Sequence, residues 1–289
     1  MVIIDGKQTS LQIQDELSIE VQNLVKRGEK TPHLAAVLVG DDGASITYVN
    51  AKVKACERVG FKSSLIRLSN TISQEEILQE IEKLNNDKEI DGFIVQLPLP
   101  SHIDETAVTL AISPDKDVDG FHPQNIGRMA LGLSTYLPAT PNGILELLRR
   151  YKIETSGKNC VIVGRSHIVG SPMSILMSRK DYPGDATVTL THSRTKDISA
   201  ITKQADILIV AIGKPQFITS DMVKDGAVVI DVGIHRVEDD TAKRGFRLKG
   251  DVKFDEVAPK CSYITPVPGG VGPMTIASLL MNTFKAVHQ

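Results

Sequence analysis

Residues 160–170 read Cys-Val-Ile-Val-Gly-Arg-Ser-His-Ile-Val-Gly, and a helical stretch around Met173 to Met177 follows. A short apolar run ending in glycine and passing into a helix is the strand-turn-helix unit of a parallel α/β sheet. Such a turn aims free backbone N–H groups and the positive end of a helix dipole at a bound phosphate, and glycine permits close approach. The spacing departs from G-x-G-x-x-G, because Ser166 takes the middle glycine position and Gly170 comes one residue late. Taken alone, the turn fits either a dinucleotide site or an ordinary strand-to-helix connection.

Outward from this turn, further apolar runs repeat the pattern. Cys160 to Gly164, Ala186 to Thr191, Asp206 to Gly213 and Ala227 to Gly233 read as four strands of a doubly wound sheet. The second ends in His192-Ser193-Arg194-Thr195. An NAD-selective domain commonly places a carboxylate there for the ribose 2′-hydroxyl, whereas a hydroxyl beside a guanidinium suits a 2′-phosphate. Arg165 can reach the same group from the glycine turn, so NADP is the expected cofactor. His192 reads as structural.

The first half alternates in the same way. Strands are expected over Leu34 to Gly40, Ser64 to Leu68 and Gly92 to Leu99, with a helix from about Ser45 to Val59 and another opened by a Ser73–Glu76 capping box. The two-proline segment Tyr136 to Gly143 marks a domain boundary, with Pro141 opening a linking helix. Residues 235–249 read as an exposed excursion, and Thr275 to Val287 as a closing helix.

The chain has 289 residues, which at roughly 150 per domain indicates about two domains. Lys plus Arg (33) nearly balances Asp plus Glu (35), leaving no positive field for nucleic acid. No apolar run reaches membrane-spanning length, and the start, MVIIDGKQTS, lacks a basic n-region and long apolar core, so a cytoplasmic location is expected. Three scattered cysteines without a CxxC pair exclude a zinc or disulfide framework. Aromatic residues make up only 4%, with no Trp, so the cores must be aliphatic and stacking sites few.

Several residues invite a chemical reading. Tyr48 and Lys52 lie four apart on one helix face. Gln96 interrupts the apolar GFIVQLPL, where an unpartnered amide is costly, so it bonds either a structural partner or a ligand at the carboxyl end of its strand. Pro114 to Gly120 carries three carboxylates, Asp115, Asp117 and Asp119, before a helix expected at Pro123. Thr265 to Thr275 packs three prolines and three glycines into eleven residues, a rigid loop without the Gly-Lys-Ser/Thr of a phosphate-binding P-loop.

Together, Tyr48-Val49-x-x-Lys52, Val95-Gln96-Leu97-Pro98-Leu99, Lys116-Asp117-Val118-Asp119-Gly120, Gly164-Arg165-Ser166-x-Ile168-Val169-Gly170-x-Pro172 and Pro266 through Thr275 resemble the bifunctional methylenetetrahydrofolate dehydrogenase/cyclohydrolase (FolD) family across essentially the whole chain. The resemblance implies a two-domain α/β fold. Residues 1–139 plus 268–289 would form an α/β folate-binding catalytic domain, to which the C-terminal helix returns. Residues 140–267 would form a Rossmann-like doubly wound NADP domain.

The implied activity is NADP-dependent oxidation of 5,10-methylenetetrahydrofolate to the 5,10-methenyl form, then hydrolysis to 10-formyltetrahydrofolate. Lys52 would be the central residue of hydrolysis, as a general base or an orienting charge. Tyr48 and Gln96 would support it, and Asp119 would bind the pterin. Gly164, Arg165, Ser166, Ser193, Arg194 and Ile234 would hold the cofactor. Val95, Leu97 and the run Pro268, Gly269, Gly270, Val271, Gly272, Pro273, Met274, Thr275 and Ile276 would border the folate. No metal is implied, and a homodimer is. The alternatives are a monofunctional dehydrogenase, a dehydrogenase of another small substrate, and a noncatalytic NADP-binding sensor.

Overall fold

The computed structural model describes residues 1–242 and 245–288. In chain order the elements are β1 (Val2–Ile3), α1 (Gly6–Lys26), β2 (His33–Val39), α2 (Gly43–Val59), β3 (Lys62–Leu68), α3 (Gln74–Asn86), β4 (Gly92–Val95), α4 (Glu105–Ala111), α5 (Pro123–Ala130), α6 (Ala139–Arg150), β5 (Asn159–Val163), α7 (Gly170–Ser178), β6 (Thr187–Thr191), α8 (Ile198–Thr202), β7 (Ile207–Val210), β8 (Val228–Asp231), β9 (His235–Glu238), β10 (Phe246–Lys249), α9 (Phe254–Val257), β11 (Tyr263–Ile264) and α10 (Val271–Ala286). They fall into two compact units, residues 11–139 with 276–289, and residues 1–10 with 140–275.

The first unit is built on a parallel sheet in the order β3-β2-β4. One sheet face carries Ala35, Val37, Val39, Phe93 and Val95 against Ile77, Ile81 and Leu84 of α3, an almost wholly aliphatic core. Each of the larger side chains here contributes roughly 1.5–3 kcal/mol by leaving water. The expected capping box opens α3: Ser73 Oγ accepts from the Glu76 N–H at 3.2 Å, and Glu76 accepts from the Ser73 N–H at 2.8 Å. β4 is shorter than expected. It ends at Val95, and the chain then turns out through a cis Leu97–Pro98 peptide. The 21-residue helix α1, absent from the sequence expectations, buries Ile13, Leu17, Val21 and Leu24 at helical spacing.

The second unit is a six-stranded, all-parallel sheet in the order β1-β11-β8-β7-β5-β6, wider than the four strands expected. Of its two extra strands, β11 lies within the expected 140–267 segment and β1 comes from the start of the chain. Residues 1–10 belong here because β1 pairs with β11, with Val2 N–H donating to Ser262 O at 2.7 Å and Ile4 N–H to Ile264 O at 2.8 Å. Residues 268–275 belong here too: Lys7 N–H donates to Gly269 O at 2.8 Å, and Ser10 Oγ to Pro273 O at 3.0 Å. The excursion at 235–249 carries the antiparallel pair β9–β10. Helix α10 starts at Val271, four residues before the expected Thr275, with Pro273 in the first turn where no N–H is needed.

Candidate active site

Helix α2 is started by Asp42, whose carboxylate accepts from the Ser45 N–H at 2.8 Å, and stopped by Gly60 in the left-handed conformation. Its buried face runs Ser45, Val49, Lys52, Cys56 and Val59, a four-three-four-three spacing with an ammonium group where an apolar residue belongs. Lys52 is only 8% exposed. A charge placed there requires partners. Its Nζ donates to Gln96 Oε1 at 3.1 Å, and the Gln96 amide nitrogen is held by Leu97 O at 2.7 Å. The Gln96 N–H donates to Val37 O at 2.9 Å, so the residue stands just past β4 with its backbone still tied to β2.

Burial pushes the Lys52 ammonium below the ordinary lysine range, and the Asp119 carboxylate partly offsets this. Asp119 is pushed the other way: burial raises its carboxyl, and Lys52 partly restrains the rise. The result is a mutually biased pair of opposite charges beside a hydrogen-bonding amide. Within the pair, desolvation favours the neutral forms, the condition under which a lysine can accept a proton.

The three carboxylates of the 114–120 loop have different surroundings. Asp115 is exposed. Asp117 is buried and accepts from the Gly120 N–H at 3.1 Å, the His122 N–H at 2.7 Å and Asn125 Nδ2 at 2.9 Å; burial pushes it up to about 6. It shapes the loop, and Asp119 is the member electrostatically coupled to Lys52. Asn282 of α10 holds the same loop, donating to Val118 O at 2.8 Å and Leu137 O at 2.9 Å. Gly120 has φ +74°, and a Cβ there would lie 2.6 Å from the Leu137 carbonyl carbon. The role of Asn282 is not legible in the sequence, since its partners Val118 and Leu137 lie in distant segments.

Tyr48 is 44% exposed one turn before Lys52, and no described residue hydrogen-bonds its hydroxyl. Lys52, Gln96 and Asp119 are therefore brought together, with Tyr48 open to solvent on the same helix. Val95 faces the core, and Leu97 packs partly against it.

In the second unit, Gly164 has φ +117°, and a Cβ on it would lie 2.1 Å from Ala211 O. A Cβ on Gly170 would lie 2.0 Å from Gly164 O. Both positions thus need glycine for close backbone packing. Ser166 explains the departure from the usual glycine spacing: its Oγ turns inward and accepts from the Val169 N–H at 3.2 Å. Among the described residues none accepts from the N–H groups of Arg165 through Ile168, which leaves a cradle suited to an anion.

Arg165, Ser193 and Arg194 are exposed, and neither arginine forms an ion pair with a described residue. His192 Nδ1 accepts from the Arg194 N–H at 3.2 Å, which holds the turn after β6. Ile234 is 48% exposed just before β9. In the 268–276 run, Gly270, Val271 and Met274 are buried, while Pro268 and Gly272 are exposed. Ile276 is counted with the first unit. Among the described residues no group of His, Cys, Asp or Glu is placed to hold a metal, and no helix is long and apolar enough to cross a membrane.

Known proteins match this chain over nearly its whole length. The catalytic-domain model of tetrahydrofolate dehydrogenase/cyclohydrolase matches residues 4–119, and the NAD(P)-binding-domain model of the same family matches residues 138–289. The bifunctional protein FolD of Cytophaga hutchinsonii is 69% identical over 286 residues, covering 99% of each chain. The crystal structure of the bifunctional FolD enzyme from Campylobacter jejuni superposes with a TM-score of 0.94 at 49% identity, covering 100% of this chain and 99% of that one. The Trypanosoma brucei dehydrogenase-cyclohydrolase, solved with NADP cofactor and inhibitor, gives a TM-score of 0.94 at 39% identity, covering 100% and 97%. With both domain models matched in order and a relative of this identity along its full length, the chain belongs to the tetrahydrofolate dehydrogenase/cyclohydrolase (FolD) family.

Proposed function

We propose that this chain oxidises 5,10-methylenetetrahydrofolate to 5,10-methenyltetrahydrofolate with NADP and hydrolyses that product to 10-formyltetrahydrofolate, with Lys52 as the residue on which hydrolysis depends. The observation that carries the assignment is the ammonium of Lys52 in the buried stripe of α2, bonded to Gln96 and balanced by Asp119.

The oxidation needs little acid–base help from the protein, because the folate nitrogens stabilise the cation that develops as hydride leaves the methylene carbon. NADP supplies the hydride acceptor. The backbone cradle at Arg165 through Ile168 suits its diphosphate, and Arg165, Ser193 and Arg194 suit the 2′-phosphate. Asp119 holds the pterin through hydrogen bonds.

In hydrolysis a water adds to the methenyl carbon and loses one proton; the remaining hydroxyl proton then leaves as the carbon–N5 bond opens and N5 takes up a proton, which leaves the formyl group on N10 and releases one proton net. Lys52, depressed by burial, takes the proton from the water, while Gln96 fixes the direction of its Nζ. Tyr48 flanks the same place. A noncatalytic NADP sensor has no use for a buried lysine maintained in this way, so that reading is not favoured. A cytoplasmic homodimer is the location and assembly that the family resemblance supports.

The test follows methenyl formation with NADP and, separately, decay of the methenyl form. Both activities are expected from the folded protein, and absence of both would overturn the assignment.

A further inference from the structure

Two buried carboxylates lie at the carboxyl end of the six-stranded sheet, outside the machinery assigned above. Asp231, the last residue of β8, is 3% exposed, and its oxygens accept from the N–H groups of Gly233 at 3.0 Å, Asp251 at 3.0 Å and Val252 at 2.9 Å. Asp251 is fully buried. One of its oxygens accepts from the N–H groups of Ile212 at 2.8 Å and Gly213 at 2.9 Å, and the other bonds His235 Nε2 at 2.7 Å.

The room for these groups is made by missing side chains. A Cβ on Gly250 would lie 1.8 Å from Asp231 Oδ2, and one on Gly233 would lie 2.4 Å from the Asp251 carboxyl carbon. A core that could be apolar instead holds two carboxylates, each satisfied mainly by backbone N–H groups, an arrangement costly to desolvate and justified by what it fixes.

What it fixes is the rim of the sheet. The turn at 211–213 leaves β7 and touches the glycine turn, since Ala211 O is the atom that excludes a Cβ from Gly164. Ile234 lies between Gly233, which is tied to Asp231, and His235, which is tied to Asp251. In an open parallel sheet this carboxyl end is where a dinucleotide lies.

We infer that Asp251 is a positioning residue for the dinucleotide cofactor: its carboxylate clamps the 212–213 turn and, through His235, the backbone that carries Ile234, so that the rim facing the cofactor is formed before binding. The inference rests on the NADP reading above. Pre-forming the rim spares the ordering cost that binding would otherwise carry, so loosening it weakens cofactor affinity and leaves chemistry at Lys52 alone.

The experiment measures NADP Kd by titration, the NADP KM of the dehydrogenase, and hydrolysis of preformed 5,10-methenyltetrahydrofolate without NADP, in wild type, Asp251→Asn, His235→Ala and His235→Gln. Asp251→Asn is expected to raise NADP Kd and KM about tenfold, the order of weakening charge-assisted hydrogen bonds, while hydrolysis stays within about twofold. His235→Ala is expected to raise them about threefold, and His235→Gln, which keeps a donor, to restore them.

Unchanged NADP Kd in both Asp251→Asn and His235→Ala overturns the inference, as does an equal loss of both activities in variants that remain folded. If Asp251→Asn does not fold, the His235 pair decides: no loss in His235→Ala, or no rescue in His235→Gln, overturns it. Wild-type protein that neither binds NADP nor oxidises methylenetetrahydrofolate would instead refute the functional reading on which the inference stands.

Discussion

The Nζ of Lys52 stands 3.1 Å from the Oε1 of Gln96, joining the buried face of α2 to the residue that follows β4. Each residue breaks the pattern of its own element, a charge in an apolar stripe and an amide at the end of an apolar run, and each supplies the other's partner. Asp119, from a third segment, offsets part of the effect of burial on the Lys52 ammonium.

The Asp119 carboxylate raises the Lys52 ammonium against burial, so removing it lets the lysine titrate lower still. Hydrolysis that needs the free amine gains rate as pH rises through that value. Asp119→Asn is therefore expected to move the acidic limb of the kcat/KM profile for hydrolysis to lower pH, with a raised KM for folate. A limb that moves to higher pH would contradict the coupling.

Tyr48 is exposed and its hydroxyl is unengaged by any described residue, so truncation costs the fold little. With no tryptophan in the chain, it is a rare flat surface for a pterin. Tyr48→Ala is expected to weaken folate binding or hydrolysis about three- to tenfold, the scale of a lost aromatic contact. Selective loss of NADP affinity instead would contradict its placement.

Arg165 and Arg194 are exposed and without described ion-pair partners. Replacing either by Ala is expected to raise the KM for NADP about tenfold while changing that for NAD far less, because only NADP carries the 2′-phosphate. Equal effects on the two dinucleotides would remove these residues from phosphate recognition.

Asp231 is pushed from 3.8 up to about 7, chiefly by burial. Between those values the folded chain binds a proton that the unfolded chain has released, so stability falls as pH rises from about 4 through 7. For this one group the fall amounts to at most about 4 kcal/mol. Asp231→Asn lacks it. Urea unfolding at pH 5 and pH 7.5 should show the wild type losing stability relative to the variant as pH rises, and parallel pH dependences would refute this.

Features set by local chemistry were readable in the sequence. The Ser73–Glu76 box, the Gly164 turn, the isolated Gln96 and the linking helix near Pro141 each depend on neighbours a few residues away. β1 depends on Tyr263 and Ile264 near the other end of the chain, and Val2 and Ile3 remain exposed, so no apolar pattern announces that Met1 to Ser10 joins the second unit. Asp115, Asp117 and Asp119 look equivalent in a polar loop. Asn125, the Gly120 turn and Lys52 distinguish them, and only folding supplies those partners. Lys52 itself carried a readable sign, since Ser45, Val49, Cys56 and Val59 place it within a buried stripe.

The most direct test of the central claim is to resolve methenyl formation from methenyl decay, with NADP, in wild type and Lys52→Met. The variant is expected to keep dehydrogenase activity within about tenfold and to lose hydrolysis by at least about a hundredfold, the scale of one general base. Equal retention of both activities, or equal loss of both in folded protein, would contradict the assignment of hydrolysis to Lys52.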